Sequence, residues 1–205
     1  LIAATAVGLS LAGYLGIQQR AARADAAGEA QFPPTGRFVD VEGRRVHAHV
    51  QGTGPDVIIL HGASGNTYDY TMDFVARLSD RYRVTVFDRP GFGWTERAPG
   101  YGGLYDNGAE TPREQARMLR TAARMLGIDR PILKGHSYSG SVALAWALEF
   151  PDDPAALVFV SAVSNPWPTP VDRIHRGNAS VLGANTVVPL LSAIANRGQV
   201  DGILK

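Results

Sequence analysis

The first seventeen residues, Leu1–Ile17, carry no charge, and Gln18, Gln19 and Arg20 close the run. A helix of that length reaches roughly 26 Å, the lower limit for crossing a bilayer. The expectation is a transmembrane anchor over residues 1–19, which would make the protein a single-pass membrane protein. The alternative is the apolar part of a signal peptide, with Ala22-Arg23-Ala24 as a small-x-small cleavage site and a secreted or periplasmic product. Residues 20–36, rich in Ala and Gly and closed by Pro33-Pro34, read as a linker.

Beyond the linker, short apolar runs alternate with helical patterns. Arg37–Val41 and Arg45–Val50 read as two strands joined by a tight turn at Glu42-Gly43. Val57–Leu60 is a continuous apolar run, the pattern of a strand buried on both faces. A glycine-rich loop, His61–Asn66, leads into a helical stretch carrying Met72, Phe74, Val75 and Leu78, and Tyr82–Phe87 is the next strand. Ala98–Glu110 has no period. Thr111, Pro112 and Glu114 then spell an N-cap, a first-turn proline and a capping box. Ala116, Leu119, Ala123 and Leu126 form one apolar stripe, which Gly127 ends. Pro131–Lys134 is a short strand, Ser139–Phe150 a helix apolar nearly all round and so expected buried, and Ala156–Val160 another strand. This alternation predicts an α/β fold with a mostly parallel twisted sheet and helices on both faces.

Composition narrows the chemistry. The 205 residues carry 20 basic and 19 acidic side chains, a net charge of +1 that gives no electrostatic case for nucleic acid. The absence of cysteine excludes disulfides, thiolate metal sites and a cysteine nucleophile. His47 and His49 alternate along a strand and share a face, but no third metal ligand is in view, and they are expected to be exposed. The His61–Asn66 loop lacks the Gly-Lys-Ser/Thr of a phosphate-binding loop. Trp146, Trp167, Tyr101 and Tyr105 either line an apolar pocket, pack in the core or lie on a lid surface.

The segment Gly135-His136-Ser137-Tyr138-Ser139-Gly140 lies between a strand and a helix. A serine there sits on a sharp, strained turn that lifts its hydroxyl above the carboxyl edge of the sheet. Small residues must flank it, because strand and helix pass close together. Gly135 meets that need, and Ser139 stands where glycine is usual. Two further segments follow strands in the same way: His61-Gly62-Ala63-Ser64-Gly65-Asn66, and Asp88-Arg89-Pro90-Gly91-Phe92-Gly93-Trp94-Thr95.

With these three motifs the chain resembles the α/β-hydrolase fold superfamily, in its serine-nucleophile form, from about Arg37 to Asn165. The resemblance implies a core over residues 37–165 and the start of a lid over 166–205. It also implies that the C-terminal strands and the rest of the lid are missing, as in a segment cut at both ends. Ser137 matches the nucleophile, and the backbone N–H groups of Tyr138 and Ala63 match the oxyanion donors. Asp88–Thr95 looks like the family's structural turn. Serine rather than aspartate at position 137 argues against relatives that work through an aspartyl ester.

In this family an acid and then a histidine follow the nucleophile. After Ser137 the one histidine is His175, and the acids are Glu149, Asp152, Asp153, Asp172 and Asp201. Glu149, Asp152 and Asp153 fall at the wrong edge of the sheet, and His175 reads as a lid residue. The triad acid and base are therefore expected beyond Lys205. Losing the base costs on the order of 10⁴ to 10⁶ in rate, so this segment alone is expected to be nearly inactive.

The expected activity is hydrolysis of an ester, thioester or amide in a small acyl substrate, with no cofactor and no metal. The same fold also serves acyltransferases, cofactor-free perhydrolases and carbon–carbon bond hydrolases. Non-catalytic binding modules are the alternative of a different class.

Overall fold

The computed structural model describes residues 2–97, 110–165 and 183–194. The chain divides into two units, one over residues 34–102 and 108–169 and the other over residues 1–33, 103–107 and 170–205.

The larger unit is built on one six-stranded sheet: β1 (Arg37–Val41), β2 (Arg44–Gln51), β3 (Asp56–Leu60), β4 (Arg83–Phe87), β5 (Ile132–His136) and β6 (Ala156–Val160). Their spatial order is β1-β2-β4-β3-β5-β6. β1 pairs antiparallel with β2, and β2 with β4, while β4, β3, β5 and β6 run parallel. The β1–β2 hairpin turns through Glu42 and Gly43 at φ 54° and 78°, the left-handed pair that a two-residue turn between twisted strands requires.

Alternate residues of β3 feed two cores. Ile58 and Leu60 pack with Phe87 and Leu133 against Leu119, Ala122, Val142 and Trp146. Val57 and Ile59 pack with Val84 and Val86 against Tyr70 and Val75 on the opposite face. The first face is covered by two helices. One runs Pro112–Met125, with the capping box between Thr111 and Glu114 complete, and the other runs Ser139–Glu149. Trp146 is core, 1% exposed.

Two helix expectations need correcting. The stretch around Met72 forms a regular helix only over Tyr68–Thr71, followed by turns, and Met72 is exposed while Val75 is buried. The Ser139–Glu149 helix is not buried all round, since Leu148 is 76% exposed. β6, apolar as expected, is an open edge with Val158, Phe159 and Val160 exposed.

The smaller unit contains a helix over Ile2–Gln31, a π-helical turn over Gly183–Val187 and a helix over Val188–Ile194. In chain order the helices of the two units are α1 (Ile2–Gln31), α2 (Tyr68–Thr71), α3 (Pro112–Met125), α4 (Ser139–Glu149) and α5 (Val188–Ile194).

The membrane anchor expected over residues 1–19 is overturned. Among the described residues no helix is long and apolar enough to cross a membrane. Gly8, Gly13, Gly16, Thr5 and Ser10 dilute the apolar run, and α1 continues without a break into charged sequence. The linker expected from residue 20 is helical as far as Gln31, because Ala21, Ala22, Ala24, Ala26, Ala27 and Ala30 favour helix strongly. Side chains of this stretch engage residues 183–194. Gln18 donates to the Asn185 carbonyl at 2.8 Å, Arg20 to the Ala193 carbonyl at 2.8 Å, and Ser192 to Asp25 at 2.6 Å.

Candidate active site

Ser137 stands between β5 and α4 with φ 51°, one of three non-glycine residues in the left-handed region among those described. Such a conformation costs about 1–2 kcal/mol and persists only where neighbours hold it. Here the Ser137 N–H donates to the Val160 carbonyl at 3.0 Å. Its carbonyl accepts from the N–H groups of Gly140 at 2.9 Å and Val163 at 3.0 Å. The side chain is half-buried, and Ser137 Oγ makes no hydrogen bond among the described residues.

The flanking positions explain themselves. A Cβ on Gly135 would fall 2.5 Å from the Ser139 carbonyl oxygen and 2.9 Å from Gly140 Cα, both backbone atoms that cannot give way. Ser139, where glycine is usual, is fully buried, and its hydroxyl donates to the carbonyl of His61. That bond links the serine turn to the loop after β3.

The loop after β3 borders Ser137 directly. A Cβ placed on Gly62 would lie 3.4 Å from both Ser137 Cβ and His136 Nδ1. His61 is fully buried. Its Nε2 accepts from the Arg89 N–H at 3.0 Å, which puts its proton on Nδ1, 2.9 Å from the Gly62 carbonyl. Burial, with Arg89 beside it, lowers its pKa to about 4 and keeps the ring neutral.

Asp88 anchors the turn after β4. Its carboxylate accepts from Thr67 N–H at 2.7 Å, Trp94 N–H at 3.0 Å and His47 Nδ1 at 2.8 Å. Burial pushes its pKa up, but the hydrogen bonds from His47, Trp94 and Thr67 outweigh that and hold it below the usual carboxylate range. His47 is thus fully buried, not exposed as expected, and its Nε2 accepts from the Gly36 N–H at 3.2 Å. His49 points elsewhere, with Nδ1 3.0 Å from Thr35 Oγ1. No cluster of three metal-ligating side chains exists among the described residues.

Two buried cations escaped the sequence reading. Arg89, 2% exposed, reaches the carbonyls of the loop after β3. Lys134, on the strand leading to Ser137, donates to Tyr70 Oη at 2.9 Å and lies over the Tyr70 ring at 4.0 Å. Burial lowers the Lys134 pKa to about 8, and burial with Asp69 nearby raises Tyr70 to about 12. A lone lysine in an apolar strand was the available signal.

Of the acids after Ser137, Glu149 pairs with Arg117, and Asp153 with Arg120 and Arg124, all on α3. They are tied to that helix rather than to Ser137. Tyr101, Tyr105, Trp167, Asp172, His175 and Asp201 lie outside the described residues.

A half-buried serine held in a left-handed turn at the end of a parallel strand, bordered by a glycine loop, marks a hydrolase-type fold. The chain belongs to the alpha/beta hydrolase fold family, whose profile matches residues 55–188. It is 31% identical over 143 residues to "Haloalkane dehalogenase 2" of Mycobacterium tuberculosis, covering 70% of this chain and 46% of that protein. It is 30% identical over 142 residues to the "2-hydroxymuconate semialdehyde hydrolase" of Pseudomonas putida, covering 67% of this chain and 47% of that one. The chain thus spans about half the length of these relatives. Among solved structures, a meta-cleavage product hydrolase shares the fold at a TM-score of 0.59 and 20% identity, over 82% of this chain and 67% of that chain.

Proposed function

We propose that the protein is a serine hydrolase that cleaves an ester, thioester or amide through an acyl-enzyme on Ser137. The observation that carries this reading is the Ser137 turn: a left-handed, half-buried serine beside Gly62, with its hydroxyl free of partners among the described residues. Attack on a carbonyl places negative charge on the carbonyl oxygen, and the N–H groups of Ala63 and Tyr138 would receive it. The hydroxyl needs a base to take its proton, and a later histidine held by a carboxylate would supply that. Water then releases the acyl group.

The similarity to a haloalkane dehalogenase supports the fold and a hydrolytic activity. Serine at position 137 sets the chain apart from chemistry through an aspartyl ester. A second reading, carbon–carbon bond hydrolysis on the same serine, draws support from the 30% identity to 2-hydroxymuconate semialdehyde hydrolase. Treating the full-length protein with a fluorophosphonate probe tests both: Ser137 is labelled, and Ser137→Ala abolishes labelling. Turnover of simple aryl esters against 2-hydroxymuconate semialdehyde then separates them. A full-length protein that the probe does not label at Ser137 sinks the nucleophile assignment.

A further inference from the structure

We propose that Arg89 is a positioning residue for the oxyanion site, holding the Gly62–Ala63 peptide so that the Ala63 N–H faces Ser137. The inference rests on the reading of Ser137 as nucleophile and adds a residue to its machinery.

The Arg89 guanidinium is spent on one loop. Nη2 donates to the Gly62 carbonyl at 2.8 Å and the Ala63 carbonyl at 3.2 Å, and Nε to the His61 carbonyl at 3.2 Å. Nη1 is held by Gln115 Oε1 at 3.0 Å. The cation lies 4.4 Å from the Phe92 ring centroid and 4.8 Å from that of Tyr138. Burial lowers its pKa to about 10, so it remains a cation at neutral pH.

The Gly62 carbonyl and the Ala63 N–H belong to the same peptide. No peptide bond among the described residues is cis, so in this planar unit the N–H points away from the carbonyl. Arg89 Nη2 and His61 Nδ1 both donate to that carbonyl and fix it on their side. The Ala63 N–H is thereby turned to the other side, and Ser137 lies close enough that a Cβ placed on Gly62 would fall 3.4 Å from Ser137 Cβ. A cation on the carbonyl also polarises the peptide and strengthens its N–H as a donor. Arg89 touches the second donor residue too, through the Tyr138 ring. A flipped Gly62–Ala63 peptide would need to break the bonds from Arg89 and His61 to its carbonyl, and the longer one from the Gly65 N–H at 3.4 Å, and leave a buried guanidinium short of an acceptor.

The test uses the full-length protein and Arg89→Lys, which keeps the charge but not the fork of donors. The expected result is a fall of about 100-fold in kcat on p-nitrophenyl acetate, the scale of a lost oxyanion donor, with KM within about threefold. The affinity of an aryl boronic acid, which adds to the serine as a tetrahedral anion, falls in parallel. A folded Arg89→Lys protein with unchanged kcat, or with unchanged boronate affinity, overturns the proposal. If that variant does not fold, Gln115→Met serves in its place, because it leaves Arg89 present and frees Nη1. A several-fold lower kcat at constant KM then supports the proposal, and an unchanged kcat overturns it. Fluorophosphonate labelling of the parent protein keeps the two ideas apart. Labelling at Ser137 with an indifferent Arg89 variant removes only the positioning role, whereas no labelling removes both.

Discussion

The Ser139 hydroxyl donates to the carbonyl of His61, so the turn that carries Ser137 and the loop that carries Ala63 are joined by one buried hydrogen bond. A residue that departs from the usual glycine thereby ties together the two halves of the proposed site. The His61 carbonyl also accepts from Arg89 Nε at 3.2 Å and keeps one partner when Ser139 is truncated. Ser139→Ala is therefore expected to cost only about 1 kcal/mol, the net value of a typical intramolecular hydrogen bond. Urea unfolding checks this, and a loss above about 3 kcal/mol would mean that the carbonyl had been left without a partner.

Ser137→Gly is expected to stabilise the fold while removing the nucleophile. Glycine adopts φ 51° without penalty, so relief of the turn adds about 1 kcal/mol, offset in part by the greater freedom of the unfolded chain. The measurement is the chemical denaturation midpoint alongside fluorophosphonate labelling. A rise in midpoint with labelling lost matches expectation, and a clear fall in midpoint contradicts the strain argument.

Asp88→Ala is expected to be severe. It leaves His47 Nδ1–H and the N–H groups of Thr67 and Trp94 buried without their acceptor. A buried donor left unsatisfied costs about 1–3 kcal/mol, so losing the acceptor of all three should cost several kcal/mol. Thermal unfolding should show a large drop in Tm, and a small one would show that water or another acceptor replaces the carboxylate.

Stability should fall as the pH is lowered from 6.5 to about 4. The folded-state pKa of His61 is depressed, so across that window the unfolded chain takes up a proton that the native ring refuses. Its stabilisation is full above 6.5 and is lost as pH falls through the folded value, amounting to roughly 3 kcal/mol. Burial is the largest cause and Arg89 also opposes protonation, while the Gly62 carbonyl, Asp88 and Asp69 favour it. Urea titrations at stepped pH should show that slope, and His61→Gln should flatten it. An equal slope in the variant would assign the effect to other groups.

Local signals carried much of the fold. The capping box at Thr111–Glu114, the apolar β-strand runs and the Glu42-Gly43 turn are decided by neighbours a few residues apart, and they stand as read. The turn at Gly135–Gly140 was equally legible, since its glycine is demanded by backbone atoms within five positions. α1 shows the limit of such reading. An uncharged run followed by alanines looked like an anchor and a linker, yet the helical preference of alanine carries one helix through both.

The sequence by itself determined the α/β alternation and the tight turn between β5 and α4 that carries Ser137, because spacing and residue size dictate them. Only the tertiary structure decided the fates of His47, Arg89 and Ser139. His47 meets Asp88 across 41 positions, Arg89 meets Gly62 across 27, and Ser139 meets His61 across 78. Burial and hydrogen bonding at such separations depend on which strands lie side by side, and β-sheet order is a property of the whole chain rather than of any window within it.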